Sequence, residues 1–205
     1  MKELILKVIN KFLKIFQESR GKERGKTVYL TFDDGPEPEI TEYVLEQLAR
    51  YKFKATFFCR GDNAENNPEL LQAIRTEGHA IGNHTYSHLH SFKVRSRVYV
   101  TDVKHANDVI GDTILFRPPW GSLTLATFWK LRKHYKFIYW SLNSGDTELN
   151  KFNLKNNLDN LKSNTKEGDI VLFHFCHRHE SETRQILPMY LNWLNEQGYK
   201  GKGLL

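Results

Sequence analysis

The chain has few cysteines, no long apolar run and no basic arm, and each scarcity excludes a class of protein. Its 205 residues include only two cysteines, Cys59 and Cys176, so a disulfide framework does not hold the fold together. Each cysteine ends an apolar run, and we expect both to be buried free thiols. No stretch reaches the length of a transmembrane helix. The net charge of +6 is scattered along the chain, so we expect no nucleic-acid partner.

The first 25 residues also lack the features of a secretory signal peptide. Polar residues interrupt the apolar ones, and no small-residue cleavage site follows. Apolar residues recur at helical spacing over residues 2–17 and predict an amphipathic helix, followed by a linker up to residue 25. This helix either packs on the domain or makes peripheral contact with a membrane surface. We therefore expect a cytoplasmic or membrane-peripheral protein, and a monomer.

Residues 26–205 have the pattern of one α/β domain. With 40% hydrophobic residues, the chain is long enough for a full core. Strands are predicted near 27–32, 53–59, 79–82, 113–116, 136–142 and 169–175. Helices are predicted near 38–51, 64–77, 95–110, 122–134, 153–164 and 181–198, with Pro188 kinking or splitting the last one. Regular alternation predicts parallel strands with helices outside, in a doubly wound sheet or a barrel.

Polar side chains follow five of the predicted strands, at the point where each strand ends. In chain order they are Asp33 and Asp34, Asn83 and His84, Arg117, Asn143 and Asp146, and His174. Each alone has an ordinary explanation, such as a helix cap or a solvated loop. Because the ends of parallel strands share one face, their coincidence predicts a single site.

Part of this set can hold a metal. One carboxylate of the Asp33–Asp34 pair, with His84 and His88, leaves positions open for water and substrate on a divalent ion. Zinc fits best, and cobalt, nickel or iron can also occupy such a set. We expect the two histidines to share one face of a helical turn. A satisfied core or surface pair is the alternative explanation for them.

The second carboxylate is free to act as a base. Neighbouring carboxylates repel when both are ionised, so the one without metal needs a cation beside it. Arg117 is the candidate, in a loop stiffened by two prolines, although a surface salt bridge would also explain it. His174 ends an apolar strand and, when protonated, can donate to a leaving nitrogen. His177 and His179 follow in a loop and are expected to be solvated, with substrate contact as the alternative.

Together these motifs resemble the polysaccharide deacetylase family, also called NodB-homology domains or carbohydrate esterase family 4. Four family motifs are matched by TFDDGP (31–36), HTYSH (84–88), RPPWG (117–121) and LFH (172–174), and a further one, loosely, by WSLNSGD (140–146). The resemblance covers residues 26–200. It implies a distorted (β/α)7 barrel that removes N-acetyl, sometimes O-acetyl, groups from N-acetylglucosamine-containing saccharides and releases acetate.

The resemblance also implies a role for each residue of the site. Asp33 would be the base, oriented by Arg117, and His174 would be the acid. Trp120 and Trp140 would offer apolar faces to a sugar ring or to the acetyl methyl group. The metal ligands would be Asp34, His84 and His88.

The chain departs from the family pattern on the acid side of the site. Many members have an aspartate at the position of Asn143, where it pairs with the acid histidine, and asparagine supplies no charge there. Asp146 could take over that pairing. A tryptophan is common where Thr147 stands, and an aspartate where Phe175 stands. We therefore predict an active hydrolase with an altered pH dependence or substrate choice.

Two other functions stay open at this point. A barrel that binds carbohydrate but is catalytically impaired would be consistent with the changed acid side, although the base and metal motifs are intact. A non-haem iron oxygenase can use the same two histidines and carboxylate. It would leave Asp33 and Arg117 without a role.

Overall fold

The computed structural model describes residues 17–18, 21, 25–148 and 151–204. The amphipathic helix predicted over residues 2–17 therefore lies, up to residue 16, outside the described residues. Gln17–Glu18 form a short strand that pairs in parallel with Phe137 and Ile138. Of the helices in the described ranges, none has the length and apolar character needed to cross a membrane.

Strands and helices alternate along the chain, as the sequence predicts. The strands are β1 (Gln17–Glu18), β2 (Thr27–Asp33), β3 (Ala55–Cys59), β4 (Ala80–Asn83), β5 (Leu115–Phe116), β6 (Lys136–Ile138), β7 (Leu142–Asn143), β8 (Ile170–His174) and β9 (Lys200–Gly201). The helices are α1 (Ile40–Arg50), α2 (Gly61–Asn66), α3 (Pro68–Thr76), α4 (Ser96–Ile110), α5 (Leu125–Leu131), α6 (Leu154–Asn164) and α7 (Glu180–Glu196).

Three predicted elements differ from the observed ones. The helix expected over 64–77 is two helices, because Pro68 starts α3 at the position where its missing N–H costs nothing. Pro188 does not split α7, whose buried residues lie on both sides of the proline and pack on the core. The strand expected over 136–142 is two strands, β6 and β7, which lie towards opposite ends of the sheet.

The strand pairs are all parallel, and the sheet order is β1-β6-β5-β4-β3-β2-β8-β7, with β9 beside β2. The sheet curls strongly: Arg117, directly after β5, bonds to Thr31 and Asp33 on β2, although β3 and β4 lie between those strands. Within the described ranges, seven α-helices accompany the sheet. The predicted distorted β/α barrel is confirmed, in the form of a curled and open sheet.

Strand β2 shows how the sequence builds the two faces of this sheet. It is buried along its whole length, and alternate side chains point to opposite sides. Its even-numbered residues from Val28 to Phe32 belong to the largest core cluster, where Phe32 stacks on Phe57 with ring centroids 5.2 Å apart. Thr31 and Asp33 point the other way, into the barrel, where the site is built.

The turn after β2 depends on a glycine. A Cβ at Gly35 would come within 2.5 Å of both the ring and the carbonyl oxygen of Phe175, which follows β8. Glycine therefore fits there, and a larger residue would displace the turn that carries Asp33 and Asp34.

We expect Gly35→Ala to lower the unfolding free energy by about 1–3 kcal/mol, because the added methyl group overpacks the turn. It should also lower the turnover of the expected hydrolase, because both carboxylates move. Gly198→Ala is the matched control. Its added Cβ meets open space, and its positive φ of 75° should lower the stability without changing kcat. Denaturant unfolding and kcat, measured on both variants, check this, and a Gly35→Ala protein with the stability and kcat of the wild type would refute it.

Candidate active site

The structure brings most of the predicted site residues together at one edge of the sheet. They line a cavity of about 500 Å³, which is within the usual size of a small-ligand site. The predicted residues in its lining are Asp33, Asp34, His84, His88, Trp120, Trp140, Asn143, Thr147 and His174. Arg117 lies beneath them and is wholly buried.

Arg117 holds Asp33 from inside the barrel. Its Nη1 donates to Oδ1 of Asp33 at 2.7 Å and to the hydroxyl of Thr31 at 2.8 Å. Its Nε and Nη2 donate to the carbonyl oxygens of Ile138 and Tyr139 at 3.2 and 3.0 Å. Burial lowers the pKa of Arg117, the Asp33 carboxylate opposes that effect, and the guanidinium stays charged.

Arg117 also positions His84, through its main chain. Nδ1 of His84 lies 2.7 Å from the carbonyl oxygen of Arg117. Because a carbonyl oxygen only accepts, Nδ1 of His84 carries a proton, and Nε2 is the ring nitrogen that faces the carboxylates. That Nε2 is 3.4 Å from Oδ1 of Asp34 and 3.9 Å from Oδ2 of Asp33.

Asp34, His84 and His88 form a set whose donor atoms fit a divalent metal. Nε2 of His88 lies 3.1 Å from Oδ1 of Asp34. These separations are close to the roughly 3.3 Å expected between tetrahedral ligands of zinc. Oδ1 of Asp34 is buried and accepts no hydrogen bond from the part of the chain that the structure describes.

The electrostatics of Asp34 agree with that fit. Burial on its own would raise the pKa of Asp34. The imidazoles of His84 and His88 outweigh burial and hold the pKa of this carboxyl well below its usual range. The lowered pKa keeps Asp34 ionised, and the ionised carboxylate is the form that binds a metal ion.

The loop that carries His84 and His88 is not a helical turn, contrary to the prediction. It contains no helix, and Thr85 and His88 have positive φ angles of 65° and 54°. Its backbone N–H groups are bound by side chains: that of Thr85 by Asn83 at 2.8 Å, and the next two by Asp102. These side-chain bonds bring the two rings within 5.2 Å of each other without a helix.

Asp146, and not Asn143, pairs with His174. Its Oδ1 lies 2.9 Å from Nδ1 of His174, and its Oδ2 accepts from the backbone N–H of His174 at 2.7 Å and from the hydroxyl of Thr183 at 3.1 Å. Asn143 is exposed and accepts from the N–H of Gly145 instead. The alternative that Asp146 takes over the pairing is therefore confirmed.

His174 is protonated at neutral pH. Burial would lower the pKa of His174, but the Asp146 carboxylate outweighs burial and raises the pKa to about 9. Because Nδ1 faces Asp146, Nε2 is the atom left to face the cavity.

The segment after His174 differs from what the sequence predicts. His177 is exposed as expected, whereas His179 is buried, with its ring centroid 5.2 Å from that of His174. Phe175 faces the core and packs on Phe57, while Cys176 faces the cavity, because alternate residues of an extended chain point to opposite sides. That alternation is the signal that identifies Cys176 as a cavity residue. Both cysteines are buried free thiols, as predicted.

Two tryptophans line the cavity. Trp120 is 62% exposed, on a left-handed backbone (φ 62°, ψ 12°) that is uncommon for a residue other than glycine. Trp140 is partly buried, and the guanidinium of Arg117 lies 5.6 Å from its ring. An exposed indole beside a polar cavity offers a flat apolar face of the kind on which sugar rings stack.

Comparisons with known proteins show the family of this chain. Residues 20–139 match the family model described as polysaccharide deacetylase. The chain is 34% identical over 180 residues to a peptidoglycan-N-acetylglucosamine deacetylase of Bacillus cereus. The match covers 85% of this chain and 84% of the relative.

Solved structures show the same fold. The structure of peptidoglycan deacetylase PdaC from Bacillus subtilis matches with a TM-score of 0.79 and 27% identity, over 87% of this chain and 88% of the other. BA3943, a CE4 family pseudoenzyme from Bacillus anthracis, matches with a TM-score of 0.79 and 26% identity, over 92% of this chain and 67% of the other. The sequence match and the fold lead to one conclusion: the chain belongs to the polysaccharide deacetylase family.

Proposed function

We propose that this protein is a metal-dependent hydrolase that removes N-acetyl groups from an N-acetylglucosamine-containing saccharide and releases acetate. The observation that carries the proposal is the pairing of two opposite functions across one cavity. Asp33, held by Arg117, can accept a proton, and His174, held by Asp146, can donate one. The names of the relatives favour peptidoglycan as the saccharide. O-acetyl groups are the alternative target that we keep open.

Asp34, His84 and His88 would hold the ion, with zinc expected and cobalt, nickel or iron as alternatives. When bound, such an ion lowers the pKa of water and polarises a carbonyl group. Asp33 would take the proton of the attacking water. Its Oδ1 is fixed by Arg117, which leaves Oδ2 on the side of His84 to receive that proton.

His174 would supply the proton that the leaving nitrogen needs. As the C–N bond breaks, the proton moves from Nε2 of His174 to the amine, and the acetyl group departs as acetate. Trp120 and Trp140 would orient the sugar so that its acetyl group enters the cavity. Carbohydrate is the partner that we propose; the monomeric state and membrane contact through residues 2–17 remain predictions.

The protein loaded with Zn²⁺ or Co²⁺ is expected to release acetate from peptidoglycan or from oligomers of N-acetylglucosamine. Asp33→Asn should lower kcat at least about 100-fold and leave the metal content unchanged, because general-base catalysis is lost but Asp33 is not in the metal set. Asp159→Asn, on the exposed side of α6, is the matched control and should keep the wild-type rate. Binding of oligomers by the wild type without acetate release from any substrate would support the catalytically impaired barrel instead.

We expect kcat of the wild type to fall as the pH rises through about 9, where His174 loses its proton. Asp146→Asn removes the carboxylate that raises this pKa and keeps the burial that lowers it. The alkaline limb of the pH–rate profile should therefore move from about 9 to lower pH, with the charges of Asp34 and Asp33 still raising the pKa in part. Asn143→Ala should leave the limb in place. An unchanged limb in Asp146→Asn would rule out His174 as the acid.

A further inference from the structure

We propose that the cavity contains a second metal position, formed by Asp34, Cys176 and His179, which binds a thiophilic divalent ion such as Zn²⁺ or Cd²⁺. Asp34 belongs to both metal sets, so the second ion would compete with the first ion for the Asp34 carboxylate. Metal binding at this position does not depend on deacetylase activity. Its inhibitory consequence, described below, rests on the proposed function.

The backbone after β8 brings Cys176 and His179 to the same place. Cys176 precedes a 3-10 turn over His177–His179, and the N–H of His179 donates to the carbonyl oxygen of Cys176 at 3.1 Å. Both side chains line the cavity. A carboxylate oxygen of Asp34, the Sγ of Cys176 and a ring nitrogen of His179 all lie within 4.8 Å of one another. Small side-chain rotations would bring them to the separations of zinc ligands.

One of these groups, the imidazole of His179, has bonding capacity that no other described residue uses. Nδ1 of His179 is buried without a hydrogen-bond partner among the described residues, and only 7% of the residue is exposed. Oδ1 of Asp34 accepts no hydrogen bond from the described residues, and its charged neighbours are the imidazoles of His84 and His88. A buried polar atom without a partner destabilises a fold, so an ion bound to Nδ1 of His179 would be stabilising.

The donor atoms determine which ions fit. Sulfur, imidazole and carboxylate ligands together suit Zn²⁺ and its heavier relatives, whereas Mg²⁺, Ca²⁺ and Mn²⁺ prefer oxygen alone. On binding, the S–H bond of Cys176 breaks, a metal–sulfur bond forms, and the proton leaves to solvent. The other set, with His84 and His88, contains no sulfur. The two positions should therefore differ in metal preference and in spectrum.

The second position lies where an ion would obstruct catalysis. The ring of His179 is 5.2 Å from that of His174, the proposed acid, and both sets line the same cavity. An ion on Cys176 and His179 would occupy space that the acetyl group needs and would draw Asp34 away from the first ion. Excess zinc should therefore inhibit the enzyme.

Titration of the protein with Co²⁺ alone, followed by absorption, tests the proposal. A thiolate ligand gives a near-ultraviolet charge-transfer band that a carboxylate and two imidazoles do not give. We expect two bound equivalents, the band appearing with the second. His88→Ala should lose the first equivalent and keep the band, which shows that the thiolate binds a separate ion.

Matched variants distinguish Cys176 and His179 from their neighbours. Cys176→Ser should abolish the band, whereas Cys59→Ser, which removes the other buried thiol, should keep it. His179→Ala should weaken the second equivalent at least about tenfold, since even outer-shell changes cost that much, whereas exposed His177→Ala should not. Excess Zn²⁺ should inhibit the wild type and not Cys176→Ser, each relative to its own rate without excess zinc.

Three results would overturn the proposal. They are a wild-type titration that ends at one equivalent without the band, a band that survives Cys176→Ser, and a band that disappears in His88→Ala. Should Cys176→Ser fail to fold, His179→Ala retains the thiol and decides the question by the affinity of the second equivalent. Because the band is recorded without substrate, these results do not depend on acetate release.

Discussion

A guanidinium buried inside the barrel connects the parts of this site. Arg117 donates to Asp33 and Thr31 on β2 and to two carbonyl oxygens at the end of β6, and its own carbonyl oxygen accepts from His84. Its planar group also lies 4.2 Å from the ring of Phe58. Moving a charge out of water costs several kcal/mol, and it is tolerated only where opposite charge and hydrogen bonds are complete. Arg117 meets that condition, so the curvature of the sheet, the proposed base and one proposed metal ligand depend on the same residue.

This arrangement explains how two adjacent carboxylates can have different roles. Asp33 faces the guanidinium of Arg117, whereas Asp34, after a turn in the chain at φ 82°, faces the imidazoles of His84 and His88. Each carboxylate therefore has its own source of positive charge. On the opposite side of the cavity the charges are exchanged: the buried carboxylate of Asp146 raises the pKa of His174 and keeps it protonated. The proposed base and the proposed acid are each held by one buried partner. The proposed metal ligands line the same cavity.

Much of this could be predicted from the sequence, because strand ends in a parallel sheet converge and the motifs mark those ends. What could not be predicted depends on contacts between distant segments. The loop of His84 and His88 has helical spacing but takes its shape from side-chain bonds to Asp102 on α4. Periodicity does not show whether Asn143 or Asp146 reaches His174, since the tight turn after β7 decides it. The burial of His179 likewise follows from packing against His174 and not from its polar local sequence.

A double-mutant cycle on the buried ion pair tests the central claim most directly. Arg117→Met leaves the charge of Asp33 buried without its partner and should lower the unfolding free energy by about 3–5 kcal/mol. If the pair is the organising interaction, Asp33→Asn in the Arg117→Met background should recover part of that loss, with a coupling free energy of at least about 1.5 kcal/mol. Unfolding free energies of the wild type, both single variants and the double variant, measured in the same buffer, give the coupling. Strictly additive losses would contradict the account.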